Sequence, residues 1–128
     1  MYGFSKKVNA GFDEAVEQVT EALKGEGFGV LTEIDVKAVM KKKLDLDKRP
    51  YKILGACNPQ LANQALSAEP DIGLLLPCNV VVREDDDGSV TVAFMDPSAV
   101  LDLVQRPEIH DLAADVKARL ERVRDALA

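Results

Sequence analysis

The chain has 128 residues, of which 47% are hydrophobic and 30% are charged, so it is long enough to fold around one core without disulfide bonds. Its formal net charge is -6, and aromatic residues make up only 5% of it. This balance argues against nucleic acid and anionic membranes as partners, because both need clustered positive charge and single-strand binders also need exposed aromatic rings.

The first residues and the cysteine content favour a cytoplasmic location. Residues 1–11 lack the continuous apolar core of a secretion signal, and no apolar run approaches the ~20 residues of a membrane span. The two cysteines, Cys57 and Cys78, are therefore expected to be reduced thiols. We expect a single domain over residues 1–128.

The first part of the chain alternates short strands with helices. Apolar periodicity predicts strands over residues 2–8, 28–36 and 51–57, and helices over residues 11–27 and 36–44. The inward position of Lys6 is typical of an edge strand. In the second strand Phe28, Val30, Thr32 and Ile34 are expected on one face, and Asp35 can cap the helix that follows.

The second part of the chain contains three proline-marked helix starts and a hairpin. The expected helices begin at Asn58-Pro59, Asp96-Pro97 and Pro107, and the expected strands cover residues 78–85 and 89–95. Asp87-Gly88 is a strong hairpin signal between these two strands, and the run of three valines before it indicates a central strand.

These elements follow the order β-α-β-α-β-α-β-β-α. An antiparallel hairpin among helix-linked strands excludes a purely parallel sheet. We expect an α+β fold with a single mixed five-stranded sheet and helices packed mainly on one face.

Four segments resemble the bacterial and archaeal domain-of-unknown-function family 302. They are Glu33–Asp35 (EID), Ile53–Pro59 (ILGACNP), Leu74–Val82 (LLLPCNVVV) and Met95–Pro97 (MDP). The resemblance extends over about residues 2–126, and it implies a sheet like that of the TATA-box-binding protein and a homodimer. It brings no activity or substrate, and the cofactors stay unknown.

The Cys-Asn pairs Cys57-Asn58 and Cys78-Asn79 supply the candidate ligand-binding residues. Cys57 precedes a helix start, where free N–H groups and the helix dipole would lower the pKa of its thiol and could receive an anion. It could equally be a small apolar residue that fills space beneath the helix. Cys78, between proline and valines, is expected to be buried and inert. The two thiols could be close only if their strands run antiparallel.

The acidic, basic and histidine side chains each allow a structural explanation as well as a functional one. Glu33, Asp35 and Asp96 could act as paired acids or hold a divalent ion, but two of them are also expected helix caps. The basic cluster of residues 41–43 could bind an anion or could simply be a solvated helix face. His110 has no recognisable catalytic partner. We predict no metal site.

These observations favour a homodimeric domain that binds a small anionic molecule or a protein partner without catalysis. One alternative is a thiol-dependent enzyme or redox protein that uses Cys57. The other is a purely structural dimerisation module, in which Ile109, Val116 and Val123 of the last helix form a seam with a second copy.

Overall fold

The computed structural model describes all residues 1–128 as one sheet with a layer of helices. The strands are β1 (Gly3–Val8), β2 (Gly29–Asp35), β3 (Tyr51–Cys57), β4 (Cys78–Glu84) and β5 (Val90–Met95). The helices are α1 (Phe12–Gly25), α2 (Val36–Leu44), α3 (Pro59–Ala68), α4 (Pro97–Leu101) and α5 (Pro107–Ala126). Short 3-10 segments cover Pro70–Leu75 and Asp102–Val104.

The five strands form a single sheet in the order β1-β5-β4-β3-β2. The expected α+β class, element order and single five-stranded sheet are therefore confirmed. Every neighbouring pair is antiparallel, so the expectation of a mixed sheet is wrong. The reason is that α1 carries the chain from the edge strand β1 to the opposite edge strand β2. Helix α2 starts and finishes at one end of the sheet and α3 at the other, so each returns the chain to a neighbouring strand that runs the opposite way.

The strands at the edge and in the middle of the sheet are those that the sequence pattern predicts. Strand β1 lies at an edge, and the Lys6 ammonium on its inner face donates a hydrogen bond to the Leu127 carbonyl oxygen. Strand β4, which carries the three valines, is the middle strand of the five. Because β1 carries this inward-pointing lysine, it is poorly suited to pair with a further strand.

One face of the sheet, the covered face, packs against α1 and α5. Its core includes Leu54, Val80, Val92 and Phe94 from the strands, all at most 2% exposed. The buried side chains that α1 and α5 contribute are Ala15, Val19, Leu23, Val116, Leu120 and Val123. A smaller cluster joins α3, the 3-10 segment Pro70–Leu75, α4 and the first half of α5. Helix α5 thus links two separate clusters.

The apolar face of α5 is not available to pair with a second copy. Ile109 is buried in the smaller cluster, and Val116 and Val123 are buried in the larger one. The hypothesis that these three residues pair two copies is wrong, because their apolar face is what attaches α5 to its own chain.

Strand β2 departs from the expected alternation. A register shift between Val30 and Thr32 leaves Leu31 as an extra residue, so Val30 pairs with Ala56 and Thr32 pairs with the next residue of β3, Gly55. A bulge of this kind turns the side chains beyond it to the other face of the sheet. The prediction that Phe28, Val30, Thr32 and Ile34 share one face is therefore wrong.

The other face of the sheet, the open face, carries no helix. Its middle row crosses all five strands through the paired residues Ser5, Ala93, Val81, Ile53 and Ile34. Helix α2 has no buried residue and lies beyond the Asp35 end of the sheet, next to β3. None of the helices combines the length and apolar character that crossing a membrane requires.

Candidate functional site

The start of α3 is capped as the sequence indicates. Asn58 Oδ1 accepts a hydrogen bond from the Leu61 amide at 3.2 Å, and Pro59 occupies the first helical position. The Ala62 amide donates to the Asn58 carbonyl oxygen. Since proline has no N–H and the Leu61 and Ala62 amides are engaged, few amide donors are left in this turn for a ligand.

The antiparallel pairing of β3 and β4 brings both cysteines to the same end of the sheet. Ala56 pairs with Cys78, so Cys57 is one residue beyond that pair and belongs to the opposite face. Both are free thiols; Cys57 is half-buried and Cys78 is buried. The antiparallel pairing that proximity of the two thiols requires is therefore present. The alternation of side chains along the strands nevertheless directs the two thiols to different faces of the sheet.

Burial controls the chemistry of the two thiols. It raises the pKa of the Cys57 thiol above its ordinary value. For Cys78, burial first and the neighbouring Cys57 second raise the pKa to about 11. The expected lowering of the Cys57 pKa is wrong, because the thiol loses water to apolar neighbours and gains no cationic partner. At neutral pH both side chains are protonated.

A cleft of about 330 Å³ opens beside this corner of the molecule, and we call it the corner cleft. Its walls come from Ala56 and Cys78 in the larger core cluster and from Ala65 and Leu101 in the smaller one. The corner cleft is therefore the gap that remains where the two clusters meet along α5. Such a gap can accept a ligand without disturbing either cluster.

The mouth of the corner cleft is apolar. Leu31 and Leu66 line it and are 66% and 43% exposed, respectively. The bulge in β2 places Leu31 there, as bulges beside binding sites commonly redirect a side chain. Exposed leucines at a cavity entrance favour an apolar occupant, because burying them removes hydrocarbon surface from water.

A close approach of three elements forms one end of the corner cleft. Thr32 and Pro77 both line the cleft and both lie directly over Gly55. A Cβ atom at Gly55 would approach the Pro77 side chain to 2.8 Å, so only glycine allows this closure. The glycine of the ILGACNP segment thus serves the shape of the cleft.

The four candidate residues separate into two groups. Cys57, Asn58 and Cys78 line the corner cleft, whereas Asn79 is exposed and lines a trough on the open face. The two Cys-Asn pairs therefore have different roles. In the first pair asparagine caps a helix, and in the second it is a strand residue that faces away from the cleft.

The acidic candidates are used structurally. Asp35 accepts from the Ala38 amide at the start of α2, and Glu33 forms a 2.7 Å ion pair with Lys52. Asp96 lies at the other end of the sheet, where it caps α4 and pairs with Lys117 at 3.0 Å. No group of three potential metal ligands comes together anywhere in the structure.

The basic and histidine candidates lie away from the corner cleft. Lys41 pairs with Asp45 at 2.8 Å, and the hydrogen bonds that its ammonium donates to Asp45 and Asp47 raise its pKa. His110 is exposed at the start of α5, where Nδ1 is 4.0 Å from an Asp102 carboxylate oxygen. Neither residue reaches the thiols, so no base stands beside Cys57.

Sequence reasoning missed most of the apolar lining of the corner cleft. Leu31, Leu61, Leu66, Leu76 and Leu112 contribute to it from four different parts of the chain. Leucine in an amphipathic segment predicts burial in the core, and the only local sign of another role is the pair Val30-Leu31 inside an otherwise alternating strand. The gap itself depends on how two clusters meet, which no local pattern records.

Comparison with known proteins gives a family and a similar solved structure. The family model described as "Domain of unknown function DUF302" matches residues 4–127. The crystal structure of an uncharacterized conserved protein DUF302 from Bacillus stearothermophilus is 32% identical, with a TM-score of 0.92, and the alignment covers 100% of this chain and 99% of that chain. No curated protein matches the chain.

Proposed function

This chain belongs to the DUF302 family, and we propose that it is a non-catalytic binding domain whose corner cleft receives the apolar part of a small molecule. The single observation that carries the proposal is the 330 Å³ cleft at the junction of the two core clusters. This volume is at the small end of the range of about 300–1,000 Å³ that is usual for ligand pockets.

The lining of the corner cleft supports a hydrocarbon-bearing ligand. Leucine and alanine side chains dominate its walls, and the polar groups at its rim are few. Apolar surroundings with a small number of placed polar groups are typical of small-molecule sites. The Asn58 side chain and the Thr32 hydroxyl are available to orient a ligand at this rim, although Asn58 Oδ1 is already engaged in capping.

An anionic group has less support in the corner cleft than the sequence suggested. The capped first turn of α3 leaves few free amides, and no cationic side chain lines the cleft. Without a cation, so few backbone donors do not offset the removal of a full charge from water. We therefore propose an uncharged or amphipathic ligand, with any charged head group outside the mouth.

Thiol chemistry also has less support than binding. The pKa of Cys57 is raised by burial, so little thiolate is present at neutral pH. His110 lines a different groove, beside the junction of α4 and α5, and no other base is near the thiol. Catalysis through Cys57 would need a lowered thiol pKa and a base beside the sulfur.

The proposal is tested by displacement of 1-anilinonaphthalene-8-sulfonate from the folded protein. Straight-chain alcohols and carboxylic acids are expected to displace the dye with affinity that increases with chain length, while inorganic phosphate does not. The variant Ala62→Phe, which fills the corner cleft from α3, is expected to weaken chain binding by at least about tenfold, since a blocked pocket loses most of the buried contact area.

The matched control is Ala114→Phe, at an exposed position of α5 that does not line the cleft. It is expected to bind like the parent chain, and Cys57→Ala is expected to retain binding because no covalent step is involved. Equal effects of the two phenylalanine variants, or displacement by phosphate but not by alcohols, would contradict the proposal.

A further inference from the structure

The open face carries a second cavity, a trough of about 540 Å³ that shares no residue with the corner cleft, and we call it the open-face trough. Its floor includes the paired residues Ser5 of β1 and Ala93 of β5, with Val81 of β4 beside them. These side chains are short, whereas the row continues on β3 and β2 with two isoleucines. The trough therefore lies over the part of the sheet where the side chains are small.

Both tyrosines of the chain line the open-face trough. Tyr2 precedes β1 and is 79% exposed, and Tyr51 is half-buried at the start of β3. Met95 of β5 lines the trough as well. Tyrosine rings and thioethers both make favourable contacts with an aromatic ring. The walls of this trough therefore suit a flat aromatic ligand, whereas the leucines of the corner cleft suit a hydrocarbon chain.

Polar side chains lie toward the two ends of the trough. Asn79, Val81 and Arg83 follow one another on the same face of β4, so the Cα atoms of Asn79 and Arg83 are roughly 13 Å apart. Asn79 is exposed and offers both an amide donor and a carbonyl acceptor. Arg83 offers only donors. A ligand that spans the trough therefore needs a hydrogen-bond acceptor at its Arg83 end.

The Arg83 side chain is held in place by the hairpin between β4 and β5. Its Nη1 donates a hydrogen bond to Asp85 Oδ1, and Thr91 Oγ1, in a residue that is 3% exposed, donates to Asp85 Oδ2 at 2.6 Å. The hydrogen bond from Thr91 lowers the pKa of Asp85, so this carboxylate stays ionised at neutral pH. The Arg83 side chain is 38% exposed, and its other N–H groups remain for a ligand.

The charges around Arg83 favour an uncharged ligand. Three cationic side chains pair there with four carboxylates, and the pairs are Lys7–Asp87, Arg49–Glu84, Arg49–Asp86 and Arg83–Asp85. An anion in the trough would lose water without gaining an unpaired cation, and a cation would lie against the Arg83 guanidinium. A carbonyl oxygen or a ring nitrogen can accept from Arg83 without the cost of removing a full charge from water.

We propose that the open-face trough binds an uncharged, planar aromatic molecule that carries a carbonyl or ring-nitrogen acceptor. The ring lies over Val81 and Ala93, between the tyrosines. The acceptor takes a hydrogen bond from Arg83, and Asn79 contacts the polar edge at the other end. The chain then has two ligand sites of different character, one for hydrocarbon and one for a polar aromatic ring.

The test uses the tyrosine rings as reporters. The chain has no Trp and two Tyr, both of which line the open-face trough, and neither lines the corner cleft. Ring signals of the full chain with isotope-labelled tyrosine therefore report on this trough alone in NMR spectra.

Three probes of similar shape differ in charge, and they are naphthalene-2-carboxamide, naphthalene-2-carboxylate and naphthalen-2-ylmethylammonium. The carboxamide is expected to shift the ring signals of both tyrosines until the site is saturated. Each charged probe is expected to bind about threefold more weakly or worse, because it must lose a full charge's hydration.

An arginine variant tests the hydrogen bond to the acceptor. Arg83→Met removes the donors but keeps a long side chain, and it is expected to weaken carboxamide binding by about tenfold. The matched control is Arg122→Met, which likewise removes an arginine paired with a carboxylate, here Glu26 at 2.8 Å, and lies outside the trough. This control is expected to bind like the parent chain.

A second pair of variants tests the location. Ala93→Phe fills the floor of the trough and is expected to abolish the tyrosine shifts, whereas Ala114→Phe, outside the trough, is expected to retain them. Circular dichroism confirms that each variant is folded, and Ser5→Phe, at an exposed position of the floor, replaces Ala93→Phe if the latter is not.

Three results would overturn the proposal. They are the absence of a saturable tyrosine shift with the carboxamide, a carboxylate that binds as tightly as the carboxamide or more tightly, and equal binding by Arg83→Met and Arg122→Met. Ala62→Phe, which fills the corner cleft, is expected to leave the tyrosine shifts unchanged. Failure of one ligand site can therefore be told from failure of the other.

Discussion

The two faces of the sheet carry apolar side chains in their middle rows, but the surroundings of these side chains differ. On β3, Leu54 points into the covered face and is completely buried, while the adjacent Ile53 points to the open face and is only partly buried. On β4, Val80 and Val81 differ in the same way. Alternation along a strand places neighbouring apolar residues in opposite environments. Apolar character therefore does not by itself reveal which face the protein's own helices cover.

This difference separates two uses of hydrophobic surface. The covered face stabilises the folded chain, because α1 and α5 exclude water from it in every molecule. The open face contributes less to the fold of one chain, because no helix excludes water from it. The corner cleft lies between these extremes, since its walls are core residues and its mouth is exposed.

The largest expected effect compares neighbouring residues on β3. Leu54→Ala is expected to lower the free energy of unfolding by about 2–5 kcal/mol, because it leaves a cavity in the larger cluster. Ile53→Ala is expected to lower it by about 1 kcal/mol or less, because Ile53 is only partly buried in the folded chain. Urea unfolding of both variants measures the difference, and equal losses would contradict the assignment of the two faces.

The next largest effect is the pH dependence of stability, which compares the buried thiol of Cys78 with the half-buried thiol of Cys57. Below about pH 7.5 both the folded and the unfolded chain keep the Cys78 thiol protonated, so Cys78 adds no pH dependence there. As pH rises toward 11, the unfolded chain loses this proton while the raised pKa of Cys78, about 11, retains it in the folded chain. The free energy of unfolding is then expected to fall by about 2–3 kcal/mol between these limits.

Other groups titrate in the same range, so the measurement is the difference between the parent chain and Cys78→Ala across that range. The variant is expected to lose the extra fall in stability. Cys57→Ala is the control and is expected to lose less of it, because Cys57 is only half-buried. A parent chain and a Cys78→Ala variant with parallel pH profiles would show that the Cys78 thiol is not buried.

The smallest effect compares the caps of a covered and an uncovered helix. Asn58→Ala is expected to lower the free energy of unfolding by about 1 kcal/mol, because α3 is part of the smaller cluster. Asp35→Ala removes an equivalent cap from α2, which has no buried residue, and is expected to lower it by less than about 0.5 kcal/mol. Amide exchange in α2 is nevertheless expected to become faster. A larger loss for Asp35→Ala would show that α2 is integral to the core.

The local elements of the fold were predictable because their signals are short-range. The caps Asn58, Asp35 and Asp96 each accept the amide bonds that their positions indicate. The edge position of β1 followed from Lys6, and the central position of β4 followed from its valines. In each case the physical cause lies within a few residues of the signal.

The sequence pointed to the corner where a cleft lies, but it did not indicate that the cleft is apolar. Cys57, Asn58 and Cys78 do line one cleft, yet the expected anion site is a capped helix start beside leucines. The pKa of Cys57 is raised because distant segments bury it, and Asn79 lies on the other face of the sheet. Burial depends on residues far away in the chain, so the Cys-Asn motif alone could not supply it.

The amino-acid sequence by itself determined the strands, the helices, their capped boundaries and the α+β class, since these depend on periodicity and on contacts between near neighbours. Only the tertiary structure decided that all strands pair antiparallel, that a bulge turns Leu31 into the cleft mouth, and that the helices α1 and α5 cover one face of the sheet. The physical reason is that strand pairing and layer packing are chosen by the burial of surfaces from distant segments, and several arrangements satisfy the same local pattern.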